Sequence, residues 1–238
     1  MQRILTEPRA ETAAGGPLRP DFTHVKAWTF DLDNTLYPHG SKVLLEAEQR
    51  ICRFIEKHFG LSRDEAWRLQ KDCLAVNGST LSGLMTRFKI DPEPYLAYVN
   101  DVDVTTLEPS PELALALARL PGKRIVFTNN CGNYAEKVLK RLGIADAFGA
   151  VCDIRHIGFA AKPALASYEK VLAQAGAAGQ ESAMFEDSER NLVPAHEMGM
   201  TTIWLGPQDG APPARPAHVH HYTDDLTQFL HSLEVRAA

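Results

Sequence analysis

The chain has 238 residues, of which 45% are hydrophobic and 23% charged, with a formal net charge of -5 at pH 7. That length suits one core domain with an insertion, and the negative balance argues against nucleic acid, which needs a basic stripe. No run is long and apolar enough to span a bilayer, and the cysteines (Cys52, Cys73, Cys131, Cys152) are too widely spaced for a zinc or redox motif and read as buried thiols in a reducing compartment.

Residues 1–22 are rich in Gly, Pro, Ala, Thr and Arg without periodicity and read as a flexible tail. They lack the apolar centre of a signal peptide, so the expected location is cytoplasmic. Val25 to Phe30 is a short apolar run, the pattern of a strand buried on both faces. It runs into Asp31-Leu32-Asp33-Asn34-Thr35, which delivers two carboxylates to the carboxyl edge of a sheet, where open α/β sheets bind ligands. Alternation along a strand starts Asp31 and Asp33 on one side with Leu32 turned away. Such a pair can supply a nucleophile for phosphoryl transfer and a second acid for the leaving group, or can simply end a strand in an Asx-type turn.

From Ser41 the period changes to that of a helix, and Gly60 stops it. Ser62 and Glu65 form a capping box for a second helix, Asn77-Gly78-Ser79 breaks that helix, and a third covers Leu81 to Phe88. Asp91-Pro92 starts a fourth through Val99. With no strand signal between, residues 41–106 read as a helical cap inserted into a core made of residues 23–40 and 107–238.

Strands then alternate with helices. The apolar runs end at Phe127, Cys152, Phe185 and Leu205, and helical patterns begin near Glu112, Tyr134, Ala164, Glu189 and Asp225. The economical fold is α/β, a doubly wound parallel sheet of Rossmann type. Polar residues recur at strand exits, namely Thr128 with Asn129, Lys162 before Pro163, and Glu186 with Asp187. A parallel sheet gathers these ends on one edge. The histidines His218, His220 and His221 read as a solvated turn or late strand.

Taken together these residues resemble the haloacid dehalogenase superfamily. Asp31-x-Asp33-x-Thr35 is similar to its first motif, Phe127-Thr128-Asn129 to the second, Lys162-Pro163 to the third and Glu186-Asp187-Ser188 to the fourth. The resemblance implies a Mg²⁺-dependent phosphatase with Asp31 as nucleophile and Asp33 as acid/base. It further implies Thr128, Asn129 and Lys162 as phosphate ligands. Asp31, Asp187 or Glu186, and the Asp33 backbone carbonyl would hold the metal. Within the superfamily, Phe30 to Pro38, Gly78 with Leu84, Cys152-Asp153 and Asn191 resemble the pyrimidine 5′-nucleotidase branch, with Glu186 standing where close relatives often have Asp. That branch implies a nucleoside monophosphate as the small-molecule partner and places Asn77, Ser79 and Arg87 of the cap near base or sugar. The expected assembly is a monomer or homodimer, with no nucleic acid or membrane partner. A phosphosugar mutase or sugar-phosphate phosphatase has the same core, and a non-catalytic binding protein would not need Asp33.

Overall fold

The computed structural model describes residues 19–206 and 214–236. The expected tail lies outside them up to residue 18, as does the middle of the Pro- and Gly-rich stretch after Gly206. The end of the expected tail is not loose. Phe22 is fully buried against Trp28, with ring centroids 5.8 Å apart, and its backbone N–H donates to the Glu234 carbonyl. An aromatic side chain of that size gains about 2 kcal/mol by leaving water, which favours docking over a free tail.

Among the described residues six strands form one sheet: β1 (Ala27–Phe30), β2 (Lys123–Phe127), β3 (Ala150–Cys152), β4 (Ser182–Glu186), β5 (Thr201–Leu205) and β6 (His221–Thr223). Their order is β3-β2-β1-β4-β5-β6, with every neighbouring pair parallel. The chain leaves β1 towards β2 and β3, then returns to β4 on the other side. The switch point of the sheet therefore lies at β1, where crossovers part and open a crevice. All four β1 residues are buried. Phe30 stacks on Phe185 of β4 at 4.5 Å, and Trp28 Nε1 donates to the Pro121 carbonyl.

Helices α1 (Lys42–Phe59), α2 (Arg63–Asn77), α3 (Thr80–Phe88) and α4 (Pro92–Val99) follow β1 without an intervening strand. Their starts are chemical: Ser41, Ser62, Ser79 and Asp91 each accept a backbone N–H of the first turn, and Ser62 with Glu65 completes a capping box. The α2–α3 pair is closely packed, since a Cβ at Gly83 would meet Cys73 Cβ at 2.4 Å. The remaining helices are α5 (Pro111–Ala118), α6 (Gly132–Leu142), α7 (Leu165–Ala175), α8 (Glu189–Glu197) and α9 (Leu226–Ser232).

The core holds the helical block at several points. Arg190 of α8 donates to the carbonyls of Leu74, Ala75 and Gly78, and so caps the end of α2. Arg155, after β3, makes a two-point ion pair with Glu93 of α4. Gly78, in the left-handed region at φ 80°, lies against the loop carrying Lys162, and a Cβ there would come within 2.4 Å of the Lys162 carbonyl oxygen.

Candidate active site

β1 ends at Phe30, and the next residue keeps the sheet going for one more bond, the Asp31 N–H to the Phe185 carbonyl. The chain then winds into a tight turn in which the Thr35 and Leu36 N–H groups both return to the Leu32 carbonyl. Asn34 takes the left-handed conformation (φ 59°), which Asn tolerates better than most residues. Leu32 goes into the core while Asp31 and Asp33 stay on the crevice side.

Lys162 is the centre of the charge arrangement. Its ammonium is buried and has three acceptors for its three protons, at Asp31 Oδ1 (2.6 Å), Glu186 Oε2 (2.7 Å) and the Phe127 carbonyl (2.9 Å). Burial works against this charge, but the carboxylates of Asp31 and Glu186 outweigh it and hold the pKa above the ordinary lysine value. The Lys162 backbone is set by Asn129, whose amide accepts from the Lys162 N–H (2.8 Å) and donates to its carbonyl (3.3 Å). The Asn129 side chain is thus engaged in placing Lys162.

Three carboxylates gather beside this lysine. Asp31, Glu186 and Asp187 each offer an oxygen, all within 4.8 Å of one another. Burial, then the charge of Glu186, pushes Asp31 up to about 7. Burial likewise raises Glu186 to about 7, and burial with the Asp31 charge raises Asp187 to about 6. One ammonium is too little positive charge for two buried carboxylates and a third, half-buried one. A hard divalent cation with a preference for oxygen ligands fits this set, in charge and in donor type. Glu186 has both oxygens engaged, with Lys162 on one and Asn191 Nδ2 (3.1 Å) and the Ser188 N–H (3.2 Å) on the other. Asp187 accepts from Asn34 Nδ2 at 3.1 Å and keeps more capacity for a cation.

Asp33 stands apart from that cluster. Its carboxylate accepts from the hydroxyls of Tyr37 and Tyr134 and, at 3.4 Å, from Asn130 Nδ2. The two hydroxyls lie 3.0 Å from each other. Burial, then the Asp33 charge, moves both phenols above their usual pKa, so they remain donors. Tyr37 and Tyr134 are neighbours of Asp33 that sequence reasoning missed. Only Tyr37 carried a signal, four residues after Asp33 on the same turn.

Thr128 follows β2, and its buried hydroxyl oxygen accepts the Asn130 N–H at 3.0 Å. Its proton is available to a ligand at the same edge. Thr35 steadies the other Asp31 oxygen from 3.2 Å.

A cavity of about 270 Å³ opens from Asp33, Asn129 and Asn130 into the helical block. Ser79 lines it, although its hydroxyl is engaged with Ser82 in capping α3. Asn77 and Arg87 are not among its lining residues. Arg87 is exposed, over the ring of Phe88 and against Cys73 Sγ at 3.7 Å. Of the aromatic residues in this block, Tyr95 is buried and lines the cavity, whereas Trp67 is exposed beneath Lys71. The histidines have protein partners: His218 pairs with Glu189, His220 Nδ1 lies 2.8 Å from Thr202 Oγ1, and His221 packs on Phe22.

The family described as haloacid dehalogenase-like hydrolase matches residues 25–199. Phosphate metabolism protein 8 of Saccharomyces cerevisiae is 31% identical over 193 residues, 74% of this chain, and the chain spans 60% of that protein's length. The glyceraldehyde 3-phosphate phosphatase of Methanothermobacter thermautotrophicus is 25% identical over 75% of this chain and 84% of its own. In fold, the chain is similar to a HAD phosphatase from Thermococcus onnurineus (TM-score 0.59, 22% identity, 83% of this chain and 93% of that one). It is also similar to CbbY from Rhodobacter sphaeroides, solved with phosphate (TM-score 0.61, 18% identity, 88% and 99%).

Proposed function

The chain belongs to the haloacid dehalogenase-like hydrolases, and from that premise we propose that it is a Mg²⁺-dependent phosphomonoesterase acting on nucleoside 5′-monophosphates, pyrimidine ones first. The observation that carries the phosphatase reading is the Lys162 bridge between Asp31 and Glu186, with Asp187 completing an acidic cluster one divalent cation short of balance. The presence of Asp33 two residues after the nucleophile supports phosphoryl rather than haloalkyl chemistry.

In this reading Lys162 and Thr35 orient the Asp31 carboxylate, which attacks phosphorus. The ester P–O bond breaks, and Asp33 gives its proton to the departing alkoxide. Asp33 then takes a proton from water, whose oxygen attacks the aspartyl-phosphate, freeing phosphate and restoring the Asp31 carboxylate. Tyr37, Tyr134 and Asn130 hold the Asp33 carboxylate in place through both steps. Thr128 donates to a phosphoryl oxygen. Asp31 and Asp187, with the Asp33 backbone carbonyl, are the proposed magnesium ligands; the ion supplies neutralisation of phosphoryl oxygens. Residues 41–106 act as the cap that keeps water from the site.

The nucleotide preference rests on the resemblance of Phe30 to Pro38 and the later motifs to pyrimidine 5′-nucleotidases. A small sugar phosphate is the second reading, favoured by the two archaeal relatives named glyceraldehyde 3-phosphate phosphatase. Phosphate release from UMP, CMP, AMP, GMP, glyceraldehyde 3-phosphate and glucose 6-phosphate, with Mg²⁺ and with EDTA, tests both. Strongest Mg²⁺-dependent release from UMP or CMP supports the first, and a preference for the triose phosphate supports the second. No release from any ester by folded protein removes the phosphatase reading.

A further inference from the structure

We propose that the cavity beyond Asp33 selects phosphate esters whose leaving group is uncharged and rejects esters with a second anionic group. This rests on the phosphatase reading, which places the leaving group on the Asp33 side. The cavity is built from the helical block on one side and Asp33, Asn129 and Asn130 on the other. Much of its wall is apolar, with Leu44, Ile51, Tyr95 and Val99 among the lining residues. Among the described residues none that lines it is Lys, Arg or His.

Its charged lining residues are both acids. Asp33 is one, and Glu48 is the other, paired with Lys71. That lysine is not among the lining residues, and its ammonium sits 4.1 Å from the centre of the Trp67 ring. An anion in this cavity would lose hydration, meet no cation and face Asp33.

Two amides sharpen the selection. Gln70 and Asn100 line the cavity and are 3% and 7% exposed. Their NH₂ groups point at backbone carbonyls, Gln70 to Glu48 at 3.5 Å and Asn100 to Leu96 at 3.0 Å. That fixes which end of each amide is the acceptor. Neither carbonyl oxygen has a donor. Both oxygens are covered by protein atoms and stand behind the cavity wall as uncompensated negative dipoles, which add to the cost of a carboxylate or phosphate placed there. The volume of about 270 Å³ accommodates a leaving group up to the size of a nucleoside or monosaccharide.

The test uses matched pairs on the intact chain: glycerol 1-phosphate against 3-phosphoglycerate, which are nearly isosteric, and UMP against uridine 3′,5′-bisphosphate, which adds one phosphate. Both kcat/KM for phosphate release and binding by calorimetry are measured. The uncharged member of each pair is expected to be favoured on the order of 100-fold, as for a partly desolvated charge left without a partner. Leu44→Arg, at a half-buried lining position, is expected to raise kcat/KM for the charged members about tenfold. Leu74→Arg, at a more exposed lining position, serves if the first variant folds poorly. Equal or better use of the charged members overturns the inference while leaving the phosphatase reading intact. Selective binding of the uncharged members without turnover overturns that reading and supports the inference. Failure of every ester to bind overturns both.

Discussion

Tyr134 Oη donates to Asp33 Oδ1 at 2.9 Å, joining side chains 101 residues apart in sequence. The bond ties the turn after β1 to the first turns of α6 and fixes the carboxylate assigned to proton transfer. A hydrogen bond to a charged group contributes about 1.5–3 kcal/mol. Tyr134→Phe is therefore expected to lower kcat about 10- to 100-fold with little change in KM, and to alter the pH profile of kcat. A change in KM alone would assign Tyr134 to substrate binding instead.

Asp31→Asn keeps the shape of the side chain and removes the nucleophile. Phosphate release is expected to fall about a thousandfold or more, the scale of loss when a nucleophile is removed, with an unchanged circular dichroism spectrum. Retained turnover would reassign the nucleophile.

Lys162→Met leaves Asp31 and Glu186 buried without their cation. Removing one partner of such a pair costs about 3–5 kcal/mol, so Tm is expected to fall by on the order of 10 °C. The loss is expected to be smaller at pH 5 than at pH 8, because protonated carboxylates need no partner. Equal losses at both pH values would show that packing, not charge, carries the effect.

The raised carboxyl pKa values give the metal-free protein a definite pH dependence. Asp31 and Glu186 titrate at about 7 and Asp187 at about 6 when folded, against 3.8 for Asp and 4.5 for Glu as reference values. Between those limits the folded state holds protons that the unfolded chain has released, so this cluster stabilises at low pH and its contribution is lost as pH rises towards 7. Magnesium competes with those protons. The Tm increase on adding Mg²⁺ is accordingly expected to grow from pH 5 to pH 8, and a constant increase would place the ion elsewhere.

Arg190 joins α8 to the end of α2 through three backbone carbonyls. Arg190→Ala is expected to speed amide exchange across α2 and α3 and to change KM, without altering exchange in β1 or β4. Uniformly faster exchange would mean that the arginine supports the whole fold.

The fold was largely legible because its signals are local. Ser62 with Glu65 starts α2, Gly60 and Gly143 end helices, and the apolar runs at β1, β4 and β5 each end at a turn or polar residue. The candidate site was legible where a side chain sits at its own strand end, as with Asp31 and the Glu186-Asp187 pair, and less so for Lys162, which stands on a loop ten residues past the end of β3. It was not legible where two distant segments must meet. Nothing near Tyr134 announces Asp33, and the pairing of Asn129 with the Lys162 backbone depends on a loop 33 residues later. Arg87 is the converse case. Its type suits a phosphate or sugar, but the pitch of α3 leaves it exposed, over the ring of Phe88.

The contact between Gly78 and the Lys162 carbonyl also restricts how such a protein can be rebuilt. Lys162 is held from the sheet side by Asn129 and bounded from the other side by a backbone with no room for a side chain. A helical block grafted from a relative to change substrate would have to bring a glycine to that junction. Without one it would either stand off from the sheet or displace the ammonium between Asp31 and Glu186, so specificity and catalytic power would be inherited or lost together at this one position.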